Sequence, residues 1–180
     1  SLGLLWEAVS EGLGFGPYGA TKVMGLAAHG DPTRYAALLA ERVTLGDGGA
    51  FTVDGSKLRF REDGPGRVAR EVPEALDRPG QPIEQAGADL AAALQKRTEE
   101  VLIHLAGWLQ RVTGSPKLCL AGGVALNCAA NGRLASTGLF EEIFAQPAAN
   151  DAGTALGAAL LLHHRMHLAS PRWRQTTARL

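Results

Sequence analysis

Cysteine is scarce in this 180-residue chain, which has only Cys119 and Cys128. Two thiols are too few for a disulfide framework. Both sit in apolar or small-residue stretches, so they read as reduced, buried thiols of a cytoplasmic protein. Net charge is lacking as well, with 18 Lys and Arg against 18 Asp and Glu. That balance excludes nucleic-acid binding through a broad basic surface. Long hydrophobic runs are missing: the most apolar stretch, Ala155 to Leu162, is far too short to span a bilayer. The first residues do not read as a signal peptide, and no internal repeat is visible. No membrane contact is expected.

What is present is enough apolar material for a core, 46% of residues, in a length that suits one domain or one lobe of a larger one. The chain opens on Ser1 inside a stretch that already reads as helix, so an excerpt of a longer protein is expected. Leu2, Leu5, Trp6, Val9 and Leu13 fall at helical spacing, and Gly14 ends that run. A glycine-rich loop around a short helical turn follows in "GPYGATKVMGLAAHGDP". A second helix is expected over "DPTRYAALLAERV", with Asp31 as N-cap and Pro32 at the first helical position. "RVTLGDGGAFTVDGSKLRFRE" alternates around turn dipeptides and predicts a hairpin or small meander. Residues 63–82, rich in Pro and Gly, read as a mobile surface insertion.

The longest helix is expected from about residue 83 to Gly114, with Ala86, Leu90, Leu94, Val101, Leu105, Trp108, Leu109 and Val112 on one face. Beyond it the pattern repeats. "KLCLA" reads as a short buried strand, followed by Gly122–Gly123 and a helix; "EEIFAQP" reads as a strand, followed by Asn150–Asp151 and a helix. This order is an α/β signature, with the two strands as neighbours in one sheet. Ligands bind such sheets beyond the carboxyl ends of the strands.

Gly122 and Gly123 lack Cβ atoms, so backbone there can approach a flat or charged ligand, and the N–H groups of a following helix start favour an anion. A tight turn with no ligand explains the same residues equally well. Asp151 can cap its own helix or bind a metal held against phosphate. The small residues from Ala152 to Ala159 let the last helix pack closely beneath the cleft. His163 and His167 share a helical face, but they lie about 15–20 Å from Asp151 at ~1.5 Å per residue, and histidines in a last turn are favoured by the helix dipole. His29 and His104 show no partner in the sequence.

Together, "GATKVMGLAAHG", "LCLAGGVALNCAANGRL" and "QPAANDAGTALGAAL" resemble the O-carbamoyltransferases of nodulation-factor and antibiotic biosynthesis, over residues 1–162. The resemblance implies an α/β actin-like ATPase fold of the sugar-kinase, heat-shock-protein and actin class. It also implies kinship with the ATPases of tRNA threonylcarbamoyl-adenosine synthesis. Residues 1–168 would be the C-terminal, second lobe of that domain, a mixed sheet flanked by helices, and 169–180 a tail or linker. The first lobe, with its His-x-x-x-His metal site, and a YrdC-like domain would be missing partners. The chain alone is therefore expected to be inactive, and a homodimer is an expectation if apolar surface is left open.

The implied reaction starts from carbamoyl phosphate and ATP, passes through carbamoyl-adenylate, and ends on a hydroxyl-bearing small molecule. Gly122, Gly123 and Asn127 would line the adenylate pocket. Asp151 would ligate a divalent metal, iron or similar. Glu7 would hold a ribose hydroxyl, with Gly19 and Lys22 beside the same nucleotide; Glu7 and Lys22 read equally well as solvated charges. The rival readings are a small-molecule kinase of the same fold and a nucleotide-binding lobe without catalysis of its own.

Overall fold

The computed structural model describes residues 1–54 and 85–166. The insertion expected at 63–82, the tail at 169–180 and His167 lie outside the described residues. Helix α1 spans Leu2–Gly12, and Ser1 caps it by accepting the Leu4 N–H. Its buried Leu2, Leu5, Trp6 and Val9 follow the expected spacing, and Gly14 turns the chain at φ +79°. Helix α2 (Ala20–Ala27) packs on α1 and carries the fully buried Val23. At its start Gly19 is buried because a Cβ there would come within 2.7 Å of Phe15 Cβ and collide with Ser10 Oγ.

Helix α3 begins at Ala36 and runs to Arg42, later than the expected cap at Asp31. The four residues after Asp31 form a turn instead. Asp31 holds that turn by accepting the Thr33 N–H at 2.9 Å and the Thr33 hydroxyl at 2.7 Å. Strands β1 (Val43–Leu45) and β2 (Phe51–Val53) make the expected hairpin, with Thr44 opposite Thr52. Its turn lies on Trp108, where a Cβ at Gly49 would sit 2.7 Å from Trp108 Cβ. His104 does have a partner, since its Nε2 lies 2.9 Å from the Gly46 carbonyl.

Helix α4 (Gln85–Thr113) has 29 residues and is about 43 Å long at ~1.5 Å per residue. It joins two cores. Its first half packs with α1, α2, α3 and β1 around Trp6, Val23, Val43 and Leu94. Its second half packs with Leu118, Leu134 and Phe140. Trp6 Nε1 donates to Thr98 Oγ1 across the first core at 2.9 Å. The apolar face is real but uneven: the stretch from Ala86 to Gln95 is buried all round, whereas Leu105 and Val112 are exposed. Gly114 closes the helix at φ +62°.

One charge lies in that all-round buried stretch. Asp89 accepts from the Asp31 N–H at 2.8 Å, from Gln85 Nε2 at 2.8 Å and from Arg34 at 3.1 Å. The backbone N–H of Asp31, then Gln85, then Arg34, hold its carboxyl below the usual carboxylate range. A depressed folded pKa gives stability that is present above the unfolded pKa, about 3.9, and is lost as pH falls through the folded value. Asp89→Asn should lower Tm at neutral pH and flatten the acid limb of stability below about pH 4. A Tm series from pH 7 down to acid, in both proteins, checks this; parallel curves would refute it.

Strands β3 (Lys117–Leu120) and β4 (Glu142–Ala145) pair in parallel, Leu118 opposite Ile143, as neighbours in one sheet. Among the described residues the four strands form two separate ladders, one antiparallel and one parallel, and not one mixed sheet. Helix α5 (Cys128–Ala135) follows β3 and α6 (Gly153–Met166) follows β4. Two burial expectations fail. In β3 only Leu118 is buried; strand alternation turns Cys119 outward. Cys128 opens α5 while Ala130 and Leu134 take its inner face, so both free thiols are exposed. Helix α6 has no buried residue. Its Leu161 is 54%, Leu162 59% and Met166 69% exposed, beside Phe144 of β4 at 54%. The close packing of its small residues is confined to Gly153, where a Cβ would overlap the Ala148 carbonyl.

Candidate functional site

The two strand-end loops meet. Gly122, just past β3, donates its N–H to the Ala149 carbonyl past β4 at 2.7 Å. Gly122 has φ +96° and ψ 161°, a conformation that is essentially reserved to glycine. Among the described residues, a Cβ at either Gly122 or Gly123 would meet nothing within 4 Å. Backbone conformation accounts for glycine at 122, but contacts among the described residues do not account for it at 123. A short 3-10 turn, Gly123–Leu126, separates the glycines from α5, with the Ala125 N–H on the Gly122 carbonyl at 3.0 Å. The helix itself begins at Cys128, where the sequence pattern places it, and the 3-10 turn fills the gap behind the glycines.

Asn127 is buried behind this turn. Its Oδ1 caps α5 by accepting the Ala130 N–H at 2.9 Å, and its Nδ2 donates to Gln95 Oε1 on α4 at 2.8 Å. One turn on, Asn131 Nδ2 donates to the Ala125 carbonyl at 2.7 Å. The Asn131 Oδ1 is buried without a hydrogen-bond partner among the described residues.

Asp151 lies in the same loop as Ala149, exposed, in a turn ahead of α6. Its backbone carbonyl, and not its carboxylate, receives the Thr154 N–H at 3.1 Å and the Thr154 hydroxyl at 2.7 Å. The carboxylate makes no hydrogen bond among the described residues, so it is not the cap of α6. As a metal ligand it suits one position of a hard divalent ion. Among the described residues no three His, Cys, Asp or Glu side chains gather to complete such a site.

The remaining expected residues lie on α1 and α2. Gly3 of α1 faces Val124 of the 3-10 turn, where a Cβ at position 3 would lie 3.9 Å from a Val124 methyl. Glu7 lies one turn further along that face, partly exposed. Lys22 is exposed, with Nζ 5.9 Å from the centre of the Phe15 ring. Gly19 is buried, and its closeness to Ser10 and Phe15 explains it without a ligand. Among the described residues neither Glu7 nor Lys22 bonds to the glycine loop. Thus Gly122, Gly123 and Asp151 come together at one sheet edge, Asn127 braces them from behind, and Glu7, Gly19 and Lys22 stand on neighbouring helices.

Two side chains beside this edge, Gln95 and Asn131, and the buried Asp89 nearer the start of α4 escape pattern reading. Gln95 and Asp89 carry a faint signal, as isolated polar residues in the run "AGADLAAALQ".

Residues 1–160 match the family model described as "Carbamoyltransferase N-terminus". Nodulation protein NolO of Bradyrhizobium diazoefficiens is 42% identical over 174 residues, covering 97% of this chain and 30% of that protein. Nodulation protein NolNO of Sinorhizobium fredii is 40% identical over 174 residues, covering 97% of this chain and 24% of that protein. The chain thus spans less than a third of the length of these relatives. Among the described residues no helix is long and apolar enough to cross a membrane.

Proposed function

The chain belongs to the carbamoyltransferase family, and from that premise we propose that it forms part of an ATP-dependent O-carbamoyltransferase. It would hold carbamoyl-adenylate at the Gly122–Gly123 loop while a small-molecule hydroxyl attacks the carbamoyl carbon. The hydroxyl oxygen bonds to that carbon, the carbon–phosphate oxygen bond breaks, AMP leaves, and the hydroxyl proton is lost. The observation that carries this reading is the Gly122–Ala149 hydrogen bond. It joins two strand-end loops into one edge, with no described residue over either glycine.

We assign the fold to the actin-like ATPase class, second lobe, on the parallel β3–β4 pair and its two loop-helix continuations. Asp151 would hold one position of a divalent metal, iron or similar; when bound, such an ion supplies charge stabilisation at the carbamoyl carbonyl. Glu7 would reach the ribose from α1. The uncovered apolar side chains of α6 and Phe144 support a further wall, the first lobe, seated on them. The free thiols suit a reducing cytoplasm.

Gly123→Ala in the full-length protein tests the cradle. The backbone at 123 has no positive φ and the added methyl meets no atom of the described residues, so Tm should hold. ATP should bind about tenfold more weakly, the equivalent of one lost close contact of about 1–1.5 kcal/mol. Unchanged ATP affinity would remove the cradle. ATP consumption by the full-length protein that needs no carbamoyl phosphate would replace the transferase reading with a kinase.

A further inference from the structure

We propose that Gln95 is a positioning residue for the Gly122–Gly123 loop, acting through Asn127; this rests on the reading of that loop as the adenylate cradle. Gln95, on α4, is 8% exposed, and Asn127, the N-cap of the neighbouring α5, is 9% exposed. Their amides have only one consistent orientation. The Ala130 N–H claims Asn127 Oδ1, so Nδ2 faces Gln95 and must meet an acceptor. Gln95 therefore presents Oε1 to Asn127, which leaves its Nε2 to donate to Glu99 Oε1 at 2.8 Å. The relay ends on a partly exposed carboxylate one turn along α4.

Capping does not require this relay. An N-cap needs an acceptor only, and serine or aspartate caps about as well as asparagine. Nor does packing require it, since apolar side chains would fill the seam between two helices without the desolvation cost of two amides. What the relay adds is orientation. It ties the end of the 3-10 turn to α4, the longest helix, while Gly122 ties the start of the turn to Ala149. Asn131 holds the middle through the Ala125 carbonyl. With both ends and the middle fixed, the amides that would face a phosphate cannot rotate away.

Two variants break the same bond from opposite sides. Gln95→Leu keeps side-chain volume and helix propensity but removes the acceptor. Asn127→Ser keeps the α5 cap but is too short to reach α4. In the full-length protein each should weaken ATP binding about tenfold. Each should also speed amide exchange across residues 123–126 in nucleotide-free protein by about the same factor. The double variant should be no worse than either single one, because both remove one coupled interaction. Additive losses in the double variant, or exchange unchanged in both singles, would overturn the proposal. If both variants bind ATP as the wild type does, the strut falls and the cradle stands. If the wild type binds no ATP yet the variants exchange faster, the cradle falls and the strut stands.

Discussion

Gly30→Ala is expected to destabilise the protein by about 3 kcal/mol or more, at the upper end of overpacking effects. That corresponds to a Tm lower by roughly 6–12 °C for a domain of this size. The loop carrying Gly30 lies directly on the first turns of α4. A Cβ there would overlap the Ala88 carbonyl and come within 2.6 Å of the Asp89 backbone nitrogen. These are backbone atoms inside a helix, so no side chain can rotate aside. Any retreat of the loop also pulls the Asp31 N–H off Asp89 and the His29 carbonyl off Gln85, which leaves a buried carboxylate short of donors. Gly25→Ala is the control. It lies inside α2, and a Cβ there meets nothing within 4 Å among the described residues. The same added methyl should then stabilise the protein by up to about 1 kcal/mol, the helix preference for alanine. Thermal unfolding of both variants checks the pair; equal Tm changes would show that the contact at Gly30 is not tight.

This glycine marks where sequence reading stops. Periodicity is a local property, so α1, α4, the hairpin and the parallel β3–β4 pair with its two loops could all be read from spacing and turn residues. The close approach of Gly30 to α4 joins residues almost 60 apart. It leaves no mark in the sequence except a glycine, which a loop explains just as well. The same holds for Asp89. A lone acid in "AGADLAAAL" is indistinguishable by pattern from a solvated one until its three donors arrive from Asp31, Arg34 and Gln85. Burial failed at β3, α5 and α6 for the converse reason. Apolar composition there predicted covered thiols and a packed small-residue helix, but no described element lies over those faces. Of the expected site, the glycine loop and Asp151 could be placed from the strand ends. For Asn127 the sequence pattern carries no sign of its two bonds, to Ala130 and to Gln95, because the second crosses from the start of α5 to α4.

On the proposal that Asp151 holds a divalent metal, Asp151→Asn should abolish metal binding in the full-length protein and lower carbamoyl transfer by more than about a hundredfold, with Tm nearly unmoved. Stability should hold because the carboxylate bonds to none of the described residues. The contacts to Thr154 are made by the Asp151 carbonyl, which asparagine keeps. An exposed substitution away from caps and cores changes stability by about 0.5 kcal/mol or less. The activity loss follows from charge. A hard divalent cation prefers an anionic oxygen, and the neutral amide offers a weaker one at the same position. Groups that merely orient a metal ligand already cost about 10–100-fold when removed, so a direct ligand should cost at least as much. Asp151→Ala should behave alike in all three measurements, since neither variant disturbs a cap. Metal analysis, turnover with carbamoyl phosphate, ATP and a hydroxyl acceptor, and a melting curve together decide the matter. Full metal content and full turnover in Asp151→Asn would make this carboxylate an ordinary solvated charge at the mouth of the cleft.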